Sequence, residues 1–291
     1  MKSQTLYDHA RLANDALYYI YRYIDTDVNL EELSHTLGIS TFHLHRVFTA
    51  EFGESLYQTI QSIRLQKAAN LLLTNVHSTM SIIASQCGYS TQSAFIRAFK
   101  IRFAMTPTQW RKGGFESYSG TILAHVDSAR SFESLEHEII KMPALEAFYV
   151  RHKGYDPSIR NAWQKLQVWL LEHDIVPTYH IGLHHDNPII TPLDSCQYVA
   201  AVVVDAKQIK RVQTPNRFTI PSGVYARFSL LGHYGDVLAF LRWVYHVWLP
   251  QSGFETTTAP AYTMYRKNHF LSSDGMFDLD FYLPVRYFGS K

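Results

Sequence analysis

The sequence predicts two domains of different class. An all-α domain with two helix-turn-helix units spans residues 1–112, a linker spans 113–131, and an α+β domain built from two strand–helix–strand–strand repeats spans 132–291. Three observations carry this. The length, 291 residues, suits two domains of roughly 100–200 residues each. Apolar residues recur at three and four through residues 8–112, where Gly38, Gly53 and Gly88 are the glycines and Pro107 the single proline. Past Lys112 the texture changes: Gly113-Gly114 opens a small, polar stretch, and from Phe132 short β-type runs alternate with longer helical ones.

The first helix shows Leu12, Ala16, Leu17, Ile20 and Ile24 on one face. Asn29-Leu30-Glu31-Glu32 has the form of a capping box, and the helix it opens stops at Gly38, suited to a left-handed cap. Ser40 caps a second helix, Thr41–Phe52, with Leu44, Val47, Phe48 and Phe52 facing inward. A short helix, a glycine turn and a capped second helix make a helix-turn-helix. The pattern returns: Gly38 and Ser40 match Gly88 and Ser90, and Leu44-x-Arg46-x-Phe48 matches Phe95-x-Arg97-x-Phe99. Between the copies, Leu56 to Leu73 reads as one connecting helix of about 25 Å. The linker is expected to hold an extended piece at Thr121–Val126.

Residues 10–112 resemble the DNA-binding domain of AraC/XylS-type transcription regulators. The stretch that carries this is IASQCGYSTQSAFIRAFKIRFAMTPTQWR, from Ile83 to Arg111, with Gly88, Tyr89, Phe95, Arg97, Phe99, Phe103, Pro107 and Trp110-Arg111 in place. The resemblance implies double-stranded DNA as partner. Two units on one connector suit successive major-groove segments, and the first turns of each second helix face the groove. These are Thr41, Phe42, His45 and Arg46, then Thr91, Gln92, Ser93 and Arg97. Arginine can pair with a guanine edge, glutamine with adenine, and Phe42 can touch a thymine methyl. Lys100 suits phosphate, which adds affinity without sequence preference. The competing reading buries Phe42 and leaves Arg46 and Arg97 on a solvated face or on phosphate.

The second domain repeats with a period near 78 residues: Pro143 and Gly154 match Pro221 and Gly232. Each copy runs strand (Leu145–Arg151; Val224–Leu230), aromatic helix, then two strands. The helices carry Trp163, Leu166, Trp169 and Leu170, then Phe240, Leu241, Val244 and Trp248. The strand pairs are Tyr179–His184 with Tyr198–Val204, and Ala261–Arg266 with Met276–Val285. Helices are expected on one sheet face, leaving the other to curve around an apolar pocket. This half resembles the GyrI-like effector-binding domain, through KMPALEAFYVRHKGY at 141–155, HHDNPIITP at 184–192, IPSGVYARFSLLGHY at 220–234 and FYLPV at 281–285. The resemblance places a pocket glutamate, partner of cationic aromatic ligands, where this chain has Thr263; Tyr265 keeps its position. A hydroxyl does not offset a buried cation as a carboxylate does, so an uncharged ligand is expected. Thr263 and Tyr265 line the pocket, Trp163 and Trp243 reach its rim, and Trp169 and Trp248 pack on the sheet.

Composition limits the alternatives. Residues 1–112 carry +3 and the remainder −1, too small a tilt to prove a nucleic-acid partner by itself. The longest apolar run, Tyr198–Val204, falls far short of the roughly 18 residues of a spanning helix, and the start lacks a signal sequence. Cys87 and Cys196 form no disulfide framework and suit a reducing cytoplasm. His184 and His185 point to opposite faces of a strand and, with His180, lack a completing ligand, so no metal is expected. Asp278 and Asp280 read as a solvated edge. The sequence thus points to a cytoplasmic, sequence-specific transcription regulator with a small-molecule effector, no cofactor and no catalytic residues. Two alternatives stand beside it: docking of a protein partner such as RNA polymerase, or the small-molecule hydrolysis that the resemblance allows.

Overall fold

The computed structural model describes residues 2–122, 130–209 and 216–287. The helical half runs α1 (Lys2–Arg22), α2 (Leu30–Leu37), α3 (Thr41–Phe52), α4 (Leu56–Thr74), α5 (Met80–Gln86), α6 (Gln92–Phe103), α7 (Pro107–Gln109) and α8 (Phe115–Ile122). A wider π turn at Trp110–Gly114 joins the last two, breaking at Gly113, whose φ is 104°. The first half of the expected linker is therefore helix. Phe115 anchors it by packing on Trp110 and stacking on His246, contacts that local periodicity does not encode. Thr121 and Ile122 end α8 rather than open a strand, and residues 123–126 of the expected extended piece lie outside the described residues.

Capping explains the helix starts. The Asn29 side chain accepts from the Glu32 N–H at 2.9 Å. Only half of a capping box forms, because Glu32 turns to the Tyr19 hydroxyl instead. Ser40 accepts from the His43 N–H at 3.2 Å. In the second unit the cap is Thr91, not Ser90: its hydroxyl accepts from the Ala94 N–H. The second turn is thus one residue longer than the first, which explains why the glycines repeat at fifty and the arginines at fifty-one.

Gly88 shows how tightly the units are held on α4. Its φ is 74°, and a Cβ there would lie 2.5 Å from the Ile24 carbonyl and 2.7 Å from Arg64 Nε. Its repeat mate Gly38 has φ 67° with nothing within 4 Å. Gly38→Ala should therefore cost only the left-handed penalty of about 1–2 kcal/mol, and Gly88→Ala clearly more. Denaturant midpoints of the two variants check that order.

The second half contains one antiparallel sheet. Its strands are β1 (His137–Met142), β2 (Leu145–Lys153), β3 (Tyr179–His184), β4 (Gln197–Val203), β5 (Arg217–Ile220), β6 (Gly223–His233), β7 (Phe254–Thr256), β8 (Ala261–Lys267) and β9 (Met276–Tyr287). Helix α9 (Ile159–Glu172) follows β2, and the short α10 (Ala206–Ile209) follows β4. After β6, α11 (Asp236–Trp243) continues through a π turn into α12 (Leu249–Gln251). The wide turn precedes Pro250, which has no N–H to continue a regular ladder.

The sheet order is β1-β6-β9-β8-β3-β4-β2-β5, with β7 paired to β9. The two repeats meet at β8 and β3, where Gly182 faces Thr263. Each repeat also has a leading strand that the sequence pattern missed, and the two are exchanged: β1 pairs with β6 of the second copy, β5 with β2 of the first. The two leading strands are short and partly exposed, so their alternation is weak, and β7 has only three residues.

Two cores organise the helical half. Helices α1–α3 and the start of α4 close on Leu17, Ile20, Leu44 and Phe48. The remainder of α4 and the second unit share a core with the sheet domain, continuous from Leu72, Phe99 and Trp110 to Trp163 and Phe240. Polar contacts reinforce the join. The Asn75 amide pairs with both backbone groups of Thr256 at 3.1 and 3.0 Å. Ser78 donates to Glu255, which also takes the Arg286 guanidinium.

Asp278 and Asp280 do more than face solvent. Arg266 clamps both, at 2.5 and 2.7 Å, and Asp280 is buried. A long side chain from the neighbouring strand covers the pair, a contact invisible to alternation within one strand.

Candidate nucleic-acid interface and ligand site

On α3, Thr41, Phe42, His45 and Arg46 are all exposed, Phe42 at 76%. The apolar Leu44, Val47 and Phe48 take the core instead, so the buried alternative for Phe42 does not hold. Arg46 Nη2 lies 3.5 Å from His43 Nδ1, and the His43 ring meets His9 edge-on. On α6, Gln92, Ser93, Arg97 and Lys100 are exposed, while Phe95, Phe99 and Phe103 are buried. Thr91 stands apart from the others. It occupies the place of Ser40, not Thr41, and its hydroxyl serves the cap. Two exposed apolar side chains escaped sequence reasoning: Tyr57 at the start of α4 and Ile101, 81% exposed, beside Lys100. Both fall off the buried stripe by spacing, a signal that counting exposed phases would have found.

Both recognition segments are fixed to α4. Arg64, buried, donates to the Thr26 carbonyl at 2.8 Å, and the Tyr89 hydroxyl donates to Gln61 at 3.2 Å. Trp110 donates its indole N–H to the Ala69 carbonyl.

In the sheet domain, Thr263, Tyr265 and Trp163 are brought together, but on the helix-covered face rather than the opposite one. Trp163 donates to the Tyr198 hydroxyl at 3.3 Å, which in turn meets the Tyr265 hydroxyl at 3.3 Å. Thr263, fully buried, donates to the Gly182 carbonyl. Gly182 is required there, because a Cβ would collide with both Tyr198 and Thr263 hydroxyls. Burial raises the pKa of Tyr265, and of Tyr198 more strongly, so both stay phenols. The segment between β8 and β9 fills the adjoining space: Phe270 meets Tyr198 and Tyr234, and His269 meets Tyr265.

Trp163 is 1% exposed and belongs to the core; Trp169 and Trp248 pack on the sheet as expected, against Phe148 and Phe228, with their outer sides half-exposed. The outer side of Trp163 borders a groove of about 190 Å³ with Leu170, Ile175 and His180. Trp243 does not join Trp163. It sits over Phe228 and Phe240 and lines a separate, open hollow with Arg130 and Phe132. Both tryptophans were expected at one pocket rim, but helix phase alone does not say which sheet region each covers.

Buried histidines line these walls. Burial lowers His184, His246 and His269 to about 4, so all three are neutral near pH 7. A folded-state pKa below the unfolded value of about 6.5 contributes stability that is present above that pH and lost as pH falls toward 4. Asp186, raised to about 6 by burial, acts in the opposite direction below pH 6. Three groups outweigh one. The melting temperature should fall steadily from pH 6.5 to 4.5, and His184→Phe should flatten that slope. Among the described residues no group of three His, Cys, Asp or Glu side chains is placed to hold a metal ion, and no helix is long and apolar enough to cross a membrane.

Both halves of the chain match known families. Residues 135–286 match the GyrI-like small molecule binding domain, and residues 33–113 a helix-turn-helix domain. The right origin-binding protein of Escherichia coli K12 is 31% identical over 256 residues, covering 84% of this chain and 86% of that protein. The transcriptional regulator Rob of Salmonella typhimurium is 24% identical over 252 residues, with the same coverage. The C-terminal domain of AraT, a response regulator from Geobacillus stearothermophilus, is 32% identical over 35% of this chain and 84% of that chain, with a TM-score of 0.34.

Proposed function

Because the chain belongs to the AraC-type helix-turn-helix regulators that carry a GyrI-like small-molecule binding domain, we propose that α3 and α6 read two neighbouring major-groove segments while the sheet domain binds an uncharged aromatic effector. The observation that carries the first half is the pair of capped helices that present Thr41, Phe42, His45 and Arg46, and Gln92, Ser93 and Arg97, to solvent. Arg46 and Arg97 read bases. Lys100, farther along α6, and the Thr91 hydroxyl serve phosphate. Helix α4, with 19 residues, is about 28 Å long, a spacer on the scale of one ~34 Å helical turn of DNA.

Thr263 and the two hydroxyls beside it support an uncharged ligand. The carboxylates nearest in sequence pattern are occupied elsewhere: Asp278 and Asp280 by Arg266, Asp236 by Arg130 and the His233 N–H. Entry of a ligand would displace Phe270 from Tyr198. The domain carries no catalytic role in this reading, since the tyrosine lacks an acid–base partner at Thr263. We place the division between the halves after Ile122, since Phe115 of α8 is anchored on Trp110.

Calorimetry of the full chain with matched uncharged and quaternary-ammonium aromatic ligands tests the polarity. Uncharged compounds should bind at least as well as cationic ones, and Thr263→Glu should reverse the order. Tighter binding of the cationic series to the unmodified chain would overturn it.

A further inference from the structure

The other sheet face forms a second pocket, of about 290 Å³, against α1. Four aromatic side chains line it, Tyr18, Tyr21 and Tyr23 from the first unit and Phe218 from β5, with Leu183 on the sheet. Leu183 and Phe218 belong to the core shared with Tyr149 and Tyr262, on the side away from Tyr265 and Trp163. The size is at the lower end of small-molecule sites, roughly 300–1,000 Å³.

Two polar groups give the pocket a chemical preference. His185 is buried against Tyr21, ring centroids 3.8 Å apart, and its Nδ1 has no hydrogen-bond partner. Burial and the nearby Arg151 and Lys67 hold its pKa well below the usual histidine range, so the ring is neutral and adds no charge to the wall. Arg22 stands at the mouth, donates to the Tyr18 hydroxyl at 2.9 Å and lies over the Tyr23 ring. Among the described residues no carboxylate lies within 4 Å of its guanidinium. Asp25 also lines the pocket but forms no ion pair with Arg22.

The position matters as much as the chemistry. Helices α1–α3 have their own core, whereas the second unit shares one with the sheet domain. The pocket therefore lies where the first unit rests on the sheet. Tyr18 bonds both backbone groups of Thr219 there, and Asn14 takes the Arg151 side chain.

We propose that this pocket is a second ligand site, for a planar aromatic carboxylate of one or two rings, and that its occupancy shifts the first helix-turn-helix unit against the second. The carboxylate pairs with Arg22, and the rings stack among the tyrosines. This assignment is independent of the cleft at Thr263 and Tyr265.

Calorimetry on the full chain with 2-naphthoate and its uncharged amide tests it. Naphthoate should bind once per chain, roughly tenfold more tightly than the amide because its bond to arginine is charge-assisted. Arg22→Gln should erase that preference. Thr258→Trp, on the half-buried loop at the pocket wall, should abolish binding, and Thr263→Glu should leave it unchanged. Naphthoate should also alter footprint protection at the α3 half of the DNA site more than at the α6 half. Three outcomes would overturn the proposal: no naphthoate binding up to its solubility, binding that survives Thr258→Trp, or binding lost in Thr263→Glu, which would put the molecule in the other cleft. A preference for the acid that survives Arg22→Gln, or equal footprint changes in both halves, would overturn it as well.

Discussion

Trp110→Ala should destabilise the protein by about 3–5 kcal/mol, the range for emptying a large buried aromatic site. Trp110 is fully buried, with Phe99, Phe103, Phe115 and Tyr118 around it at ring-centroid distances from 4.8 to 5.6 Å. Its indole N–H also satisfies the Ala69 carbonyl of α4 at 3.1 Å. Removing it opens a cavity that backbone on three sides cannot collapse into: α4, α6 and the start of α8 are each tied to other elements. Because this core continues into the sheet domain, the loss should appear in denaturant unfolding followed in either half. Trp110→Phe should recover part of it, since the ring contacts return without the hydrogen bond.

Arg46→Ala and Arg97→Ala should each weaken specific DNA binding by about 1–3 kcal/mol, roughly five- to 150-fold, and relax base preference in only one half of the site. The two side chains occupy equivalent exposed positions on α3 and α6, fifty-one residues apart. Lys100→Ala should differ in kind. A phosphate contact is lost equally from every sequence, and the salt dependence of binding should flatten by about one counterion. Binding titrations on specific and random duplexes at two salt concentrations separate these outcomes. Equal losses on both duplexes for the arginine variants would assign them to phosphate.

Periodicity and capping made the helical half legible from sequence. Leu44, Val47 and Phe48 against Thr41, Phe42 and His45 define the inner and outer faces of α3 without any structure. The same reasoning placed the cap of α6 one residue early, at Ser90. Ser90 and Thr91 have equal capping chemistry, and only the longer turn around Gly88 decides between them. Helix α8 was unreadable because its stability comes from Phe115 against Trp110 and His246, not from its own glycine- and serine-rich sequence.

In the sheet domain the repeat exposed the six longer strands and the two long helices. Thr263 and Tyr265 were correctly assigned a common face, but alternation along one strand cannot say which face the helices cover. The exchanged leading strands depend on pairing across roughly 70 to 90 residues, with no local signature. The pocket beneath α1 was hidden for the same reason: Tyr18, His185 and Phe218 converge only after folding.

The central claim, that one chain reads DNA through two linked recognition helices, is tested most directly by hydroxyl-radical footprinting of the full chain on its bound genomic fragments. The account predicts protection over two adjacent major-groove segments on one face of the duplex, about 34 Å apart, with Arg46→Ala weakening one segment and Arg97→Ala the other. A single protected segment, or binding at physiological salt no tighter to any fragment than to random DNA, would contradict it.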